Sequence, residues 1–397
     1  MIPPTTSLLG LLIATFLLLL APPSSAQPRR PFSFIAIGDA GQPGEIHTST
    51  AAAVNATAAS MTSSGTPPSM MLFLGDNFYP SGLNTGDESW RALRDAVINP
   101  YRALMRRIGR ENVHAITGNH DYYCRSVNTI PYGFCVTGNE RERAIEEWTF
   151  SYYRPLSVRR AVAEGSADSV EFILFDSSYL LTRPTIFWGR PLELLESMLR
   201  ASAMAPGVRW RILAAHHSTR TIGEHAGWRR WMPSLNRVGY IGNCLGDGQD
   251  PFRYVYEFFS TQDNCSERYG RYIDSLNTRI DRAGARIQML IAGHEHSMQL
   301  MHYPDDGCAV CPKVFVISGA GSKADRVKSP APPREFSHPR NDPDWQGRSA
   351  PGFVTATFVD GGLRVDFVDG RDGAALDMGG GRSSFVIDES GALRDSR

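Results

Sequence analysis

Net charge is absent from this chain: 41 Lys and Arg stand against 41 Asp and Glu in 397 residues. No field of one sign draws it to nucleic acid or to an anionic membrane surface, so nucleic acid is not an expected partner. Long apolar runs are scarce too, and after residues 8–20 none is long enough to cross a bilayer. No Gly-x-Ser-x-Gly elbow occurs, which deprives a serine hydrolase of its nucleophile. No second Cys-x-x-Cys accompanies Cys308-Ala-Val-Cys311, which leaves a structural zinc site half built. Internal repeats are lacking.

What is present is a chain with 42% hydrophobic residues, enough to bury a large core. Residues 1–26 form a separate kind of sequence. An uncharged run is followed by Ala21-Pro-Pro-Ser-Ser-Ala26, with small residues at Ser24 and Ala26, the pattern of a secretory signal peptide cleaved after Ala26. An uncleaved anchor is the competing reading, and either places the body outside the cytosol. Six cysteines fit that oxidising setting. Local disulfides Cys124–Cys135, Cys244–Cys265 and Cys308–Cys311 are expected, although sequence leaves the connectivity open and the last pair could be a redox pair. Asn55-Ala-Thr57 and Asn264-Cys-Ser266 are glycosylation acceptor tripeptides.

Apolar runs at 32–37, 70–74 and 113–116 read as strands, with helices at 48–61 and 90–108. Further strands are expected at 170–175, 210–214 and 288–292, a helix at 190–203, and then strands alone near 313–317, 352–359 and 363–368. Alternation of strand and helix followed by strands alone predicts an α/β layered fold with an antiparallel finish. The proline-rich segment 329–343 reads as a surface loop, so one catalytic domain is expected over 27–397.

Five of these strands end in loops carrying Asp39, Asp76 with Tyr79, Asn119 with His120, His216, and His294 with His296. Ligands of open α/β sheets bind beyond the carboxyl ends of strands, so these loops can converge although they are far apart in sequence. The side chains are carboxylate, imidazole, amide and phenol, with no thiolate, a set that suits hard, charged cations. They are too many for one ion. Two ions sharing one carboxylate is the arrangement that stabilises charge on a phosphate while activating water.

Gly38-Asp39-Ala40-Gly41, Gly75-Asp76-Asn77-Phe78-Tyr79, Gly118-Asn119-His120-Asp121, Ala215-His216 and Gly293-His294-Glu295-His296 resemble the five motifs of the purple acid phosphatases. Within this branch of the calcineurin-like metallophosphoesterases, the small tartrate-resistant type is the most similar. The resemblance implies a four-layer metallophosphoesterase fold, two packed mixed β-sheets flanked by helices. It also implies that Asp39, Tyr79 and His296 hold Fe(III), that Asp76 bridges, and that Asn119, His216 and His294 hold a divalent Fe, Zn or Mn. Tyr79 is the discriminating residue. The wider group carries a histidine where this chain has Gly41, and a phenolate in its place favours a trivalent ion, which can hold tyrosine ionised far below its usual pKa of about 10.

By the same resemblance His120 binds a phosphoryl oxygen and His225 is the leaving-group acid. The implied activity is that of a secreted acid phosphatase, with in-line attack of a metal-held hydroxide on phosphomonoesters and no phosphoenzyme. Small phosphate esters are the expected substrates, phosphoproteins among them, with no membrane partner after signal cleavage; no oligomeric state is read. Two rivals stand beside this reading: a phosphodiesterase or nucleotide pyrophosphatase on the same scaffold, and a non-catalytic secreted metal-binding protein. His47, His114, His217, His302 and His338 are expected to be structural, and Asp121 and Glu295 to orient loops or histidines. Ala40 stands where the family has a bulky residue, which widens the site mouth, and the long segment 236–265 is expected to reshape substrate access.

Overall fold

Short runs with no polar member, such as Phe34-Ile-Ala-Ile37 and Met289-Leu-Ile-Ala292, suit strands buried on both faces. A computed structural model describes residues 29–84, 88–123, 137–223, 225, 228–232, 237–241, 266–304, 307–325, 344–348, 350–379 and 381–394. The strands are β1 (Ser33–Ile37), β2 (Met70–Phe73), β3 (Val113–Ile116), β4 (Thr149–Ser151), β5 (Leu156–Ala161), β6 (Ser169–Phe175), β7 (Val208–Ala215), β8 (Trp228–Met232) and β9 (Arg237–Ile241). They continue as β10 (Met289–Ala292), β11 (Met298–His302), β12 (Val314–Ser318), β13 (Asp344–Arg348), β14 (Gly352–Val359), β15 (Gly362–Asp369), β16 (Ser384–Ile387) and β17 (Leu393–Arg394). The helices are α1 (Glu45–Ser63), α2 (Ser89–Ile108), α3 (Thr137–Arg143), α4 (Ser177–Thr182), α5 (Gly189–Met204) and α6 (Glu267–Ala283).

Two mixed sheets result. One runs β17-β16-β15-β14-β1-β2-β3-β4, the other β13-β11-β12-β10-β7-β6-β5, and β8 with β9 forms a separate two-stranded sheet. In the first sheet β1 to β4 are parallel, and β14 joins β1 antiparallel. In the second, β6, β7, β10 and β12 are parallel. The expected antiparallel finish is there, because β14 to β17 pair antiparallel in chain order.

The period-2 alternation of strands sorts side chains into three interlayer cores. Phe34, Ala36, Leu72, Val354 and Phe367 meet Phe172, Ile212, Ile291 and Val316 between the sheets. Ile35, Ile37, Met71 and Phe73 face Val54, Ile98, Tyr101 and Met105 of α1 and α2. Ile173, Leu213, Leu290 and Phe315 face Leu195 and Leu199 of α5 and Tyr272, Leu276 and Ile280 of α6. Helix, sheet, sheet, helix is the four-layer α/β architecture expected.

Among the described helices none is long and apolar enough to cross a membrane. Cys308 and Cys311 are disulfide-bonded, so neither is available as a zinc ligand. The segment 1–26, the pairs Cys124–Cys135 and Cys244–Cys265, Asn264, the loop 329–343, His338 and most of 236–265 lie outside the described residues. Asn55 sits within α1, its amide nitrogen donating to the carbonyls of Ala51 (2.7 Å) and Pro100 (2.9 Å). The atom a glycan would need is thus committed to the contact between α1 and α2. His47 and His114 are buried, as structural histidines should be, and His302 lies at the end of β11.

Candidate metal centre

Every predicted ligand leaves the carboxyl end of a parallel strand. Asp39 follows β1, Asp76 and Tyr79 follow β2, and Asn119 with His120 follows β3, all from the first sheet; His216 follows β7 and His294 with His296 follows β10, from the second. The loops are tied across the sheets by backbone bonds from Gly38 N to Ser318 O (2.6 Å) and from Gly321 N to Gly38 O (3.0 Å). The His294 N–H donates to Asp39 Oδ2 at 2.8 Å.

Local backbone is unusual where the ligands stand. Among the described residues four non-glycine positions have φ near +60°, and three of them are Asp39 (55°), Asp76 (53°) and His294 (69°). Left-handed φ is uncommon for side chains and concentrates at functional positions where the surroundings enforce it. Adjacent glycines let the loops close up. A Cβ on Gly75, itself at φ 91°, would stand 2.5 Å from His216 Nδ1, and one on Gly118 would stand 2.1 Å from both Asp76 N and Asp76 Oδ1. Gly118→Ala should therefore displace Asp76 and leave the protein unable to retain metal. Elemental analysis after gel filtration checks this, and full metal content in the variant would refute it.

Two groups of donors result. Tyr79 Oη lies 3.0 Å from Asp39 Oδ1, 2.9 Å from Asp76 Oδ2 and 3.0 Å from His296 Nε2. Asn119 Oδ1 lies 3.0 Å from His216 Nε2 and 3.2 Å from His294 Nδ1, and His216 Nε2 is 3.5 Å from Asp76 Oδ1. Donors about 2.1 Å from one ion stand roughly 3.0 Å apart along octahedral edges, so both groups have the spacing of a coordination shell. Asp76 turns one oxygen to each. All of these side chains are at most 5% exposed except His296, which is partly buried.

Hydrogen bonds outside the two groups fix which atoms face inward, as outer partners of metal ligands do. His216 gives its Nδ1 proton to Leu74 O (2.7 Å), and His296 Nδ1 is held by the carboxylate of Asp325, so each presents Nε2. Asn119 Nδ2 donates to Tyr123 Oη (2.9 Å), which turns Oδ1 inward. Asp121, fully buried, accepts from Gly118 N (2.7 Å), Asn77 N (3.0 Å) and Asn77 Nδ2 (3.0 Å), tying the second and third ligand loops together. Glu295 accepts from Thr221 Oγ1 (2.8 Å) and His225 N (3.3 Å). Both carboxylates orient loops, as expected.

The electrostatics suit cations. Burial alone would raise the Asp76 carboxyl, but His216 and His120 outweigh it and hold the group below the usual carboxylate range. Burial, with Asp39 and Asp76, pushes the Tyr79 phenol well above its usual value, so only a strongly charged cation could hold it as phenolate. Burial and neighbouring imidazoles keep His294 and His217 neutral. Burial lowers His296, yet Asp39 and Asp325 overcome it and hold that imidazole at about 9. Below that pH a proton must leave before His296 can bind a metal, so affinity there falls as pH falls.

No family model matches the chain, and no curated protein matches it in sequence. Among solved structures it is similar to GAP50, the anchor in the inner membrane complex of Plasmodium. Identity is 12% and the TM-score 0.56, over 91% of this chain and 89% of that one. That likeness is one of fold alone, two mixed sheets flanked by helices. PhoD aligns with 14% identity and a TM-score of 0.47, over 92% of this chain and 72% of its own. A conserved Streptococcus pneumoniae protein described as a predicted phosphoesterase aligns with 9% identity and a TM-score of 0.31, over 90% and 99%.

The two second-tier residues also lie here. His120, one-quarter exposed at its side chain, places Nδ1 2.7 Å from Pro80 O, and its ring centroid is 4.4 Å from that of Tyr79. A carbonyl only accepts, so Nδ1 carries the proton and Nε2 faces the second loop, 3.9 Å from Asp76 Oδ2. The His225 ring stacks on His294 at 4.3 Å. Three residues were not expected here. His217 is fully buried in a group with His216 and His294 whose donor atoms lie within 4.8 Å of one another. Lys323 sets its ammonium 3.5 Å from the centre of the Tyr79 ring. Asp325 holds His296. Both Lys323 and Asp325 follow β12, another strand that ends at this face.

Proposed function

We propose that this protein is a binuclear-metal acid phosphatase of the purple acid phosphatase kind, acting on phosphomonoesters outside the cytosol with Fe(III) and a divalent Fe, Zn or Mn. The observation that carries the reading is Asp76 turning Oδ2 to a group containing a phenol and Oδ1 to a group containing an amide and imidazoles. The phenol-containing group suits a ferric ion, and the amide and imidazole group suits a divalent one. Bound there, the ions supply an acidified water and neutralise charge developing at phosphorus.

The chain's own residues do the rest. Asp39 and Asp76 offset the cationic charge, and the bond between Asp39 and the His294 backbone keeps the two donor groups in register. His120, its Nδ1 proton given to Pro80, steadies a phosphoryl oxygen. His225, stacked on His294 at the edge of the site, gives a proton to the departing alkoxide. Small phosphate esters, and phosphoproteins that can present a phosphate at this mouth, are the proposed substrates.

The test compares p-nitrophenyl phosphate with its bis-ester from pH 4 to 8 on protein of known metal content. Monoester hydrolysis with an acidic optimum is expected. Preference for the diester would move the reading to a phosphodiesterase, and metal-replete protein active on neither would reject a hydrolase.

A further inference from the structure

Buried histidines usually have both ring nitrogens accounted for. His217 does not. Its backbone N–H donates to Ser177 Oγ at 3.0 Å, and Nδ1 is also 3.0 Å from that oxygen, so one hydroxyl holds one side of the ring. Nε2 has no hydrogen-bond partner although the residue is wholly buried. His294 Nε2 is unpartnered too, but that ring already turns Nδ1 to Asn119 Oδ1; His47 and His114 also carry unpartnered nitrogens, but neither lies within a group of metal-ligating side chains among the described residues. His217 does, its ring centroid 4.3 Å from that of His294 and 4.8 Å from that of His216.

Resting on the two-ion reading above, we propose that His217 Nε2 is a further ligand of the divalent ion, beside Asn119 Oδ1, His216 Nε2 and His294 Nδ1. In that role Nδ1 carries the proton and gives it to Ser177, the outer partnership that orients a metal-binding imidazole and raises its basicity. A third imidazole makes the site rich in nitrogen. Imidazole suits zinc and carboxylate or water suits manganese, so His217 biases this position towards zinc.

The experiment measures zinc and manganese binding to iron-loaded protein by competition with a chromophoric chelator, and the visible absorption of the cobalt(II)-substituted form. His217→Leu is expected to weaken zinc binding by at least tenfold, to narrow the zinc-over-manganese preference, and to change the cobalt spectrum while iron content holds. Ser177→Ala, a milder change should the first variant fold poorly, is expected to weaken zinc binding about tenfold. Asn119→Ala separates the two readings. If neither the wild type nor this variant binds a divalent ion, the two-ion reading fails and this inference with it. If Asn119→Ala loses zinc while His217→Leu and Ser177→Ala keep wild-type affinity, or His217→Leu leaves the metal preference and cobalt spectrum unchanged, only the role of His217 is overturned.

Discussion

Tyr79→Phe should give a colourless protein that still holds its divalent ion. A phenolate on a ferric ion absorbs visible light by charge transfer, and few other donor sets in a protein without cofactors do. Tyr79 stands among Asp39, Asp76 and His296, where burial and the two carboxylates oppose its ionisation. Loss of that proton therefore has to be driven by a highly charged cation. The ammonium of Lys323, 3.5 Å from the ring centre, would help hold a phenolate there. Wild-type protein reconstituted with iron should be coloured, and phenylalanine should remove the band while leaving zinc at the Asn119 group. A coloured Tyr79→Phe protein, or a colourless wild type with both ions and full activity, would remove iron from the account.

The larger loss in rate should come from Asp76→Asn. The substitution keeps the shape but replaces an oxygen facing one donor group or the other with an NH2 that cannot bind a cation, and it discards the charge shared between the groups. The pair of ions would contribute several kcal/mol of transition-state stabilisation, and about 1.4 kcal/mol is a factor of ten in rate. A fall of at least about a thousandfold in kcat is expected, with depleted metal at both positions. Measuring kcat and metal content on one preparation decides the matter, and a variant within tenfold of wild type would show that Asp76 does not bridge.

Much of this site was legible because its signals are local. A short apolar run, a glycine and a ligand-type side chain recur at Asp39, Asp76 and His294, and the strand positions implied by the runs are those observed. The carboxyl ends of β1, β2, β3, β7 and β10 differ from expectation by a residue at most, since buried apolar residues lead up to each of them, whereas β7 begins two residues earlier than expected, at Val208 beside the exposed Arg209. What sequence could not supply were pairings without a pattern. Asp325 meets His296 across 29 positions, and Lys323 reaches Tyr79 from a strand not included among the ligand-bearing five. A lone histidine beside a ligand is more often structural, so sequence gives His217 no signal of its own; its orphaned nitrogen exists only in three dimensions. Helix α6 did carry a readable spacing at Tyr269, Tyr272, Leu276 and Ile280, but charged residues between them diluted it. Asn55 shows the opposite failure, a short acceptor pattern that reads as surface while its amide serves a helix contact.

Each donor group draws on both sheets. Asp39, Asp76 and Tyr79 from the first meet His296 from the second, and Asn119 from the first meets His216 and His294 from the second. Ions held there would act as rivets through the two halves of the sandwich, so that sliding one sheet over the other would break coordination at both positions at once. The free energy of binding would then be stored as resistance to shear between the halves, and a chelator would loosen the whole molecule along its central seam while disarming the chemistry at its rim.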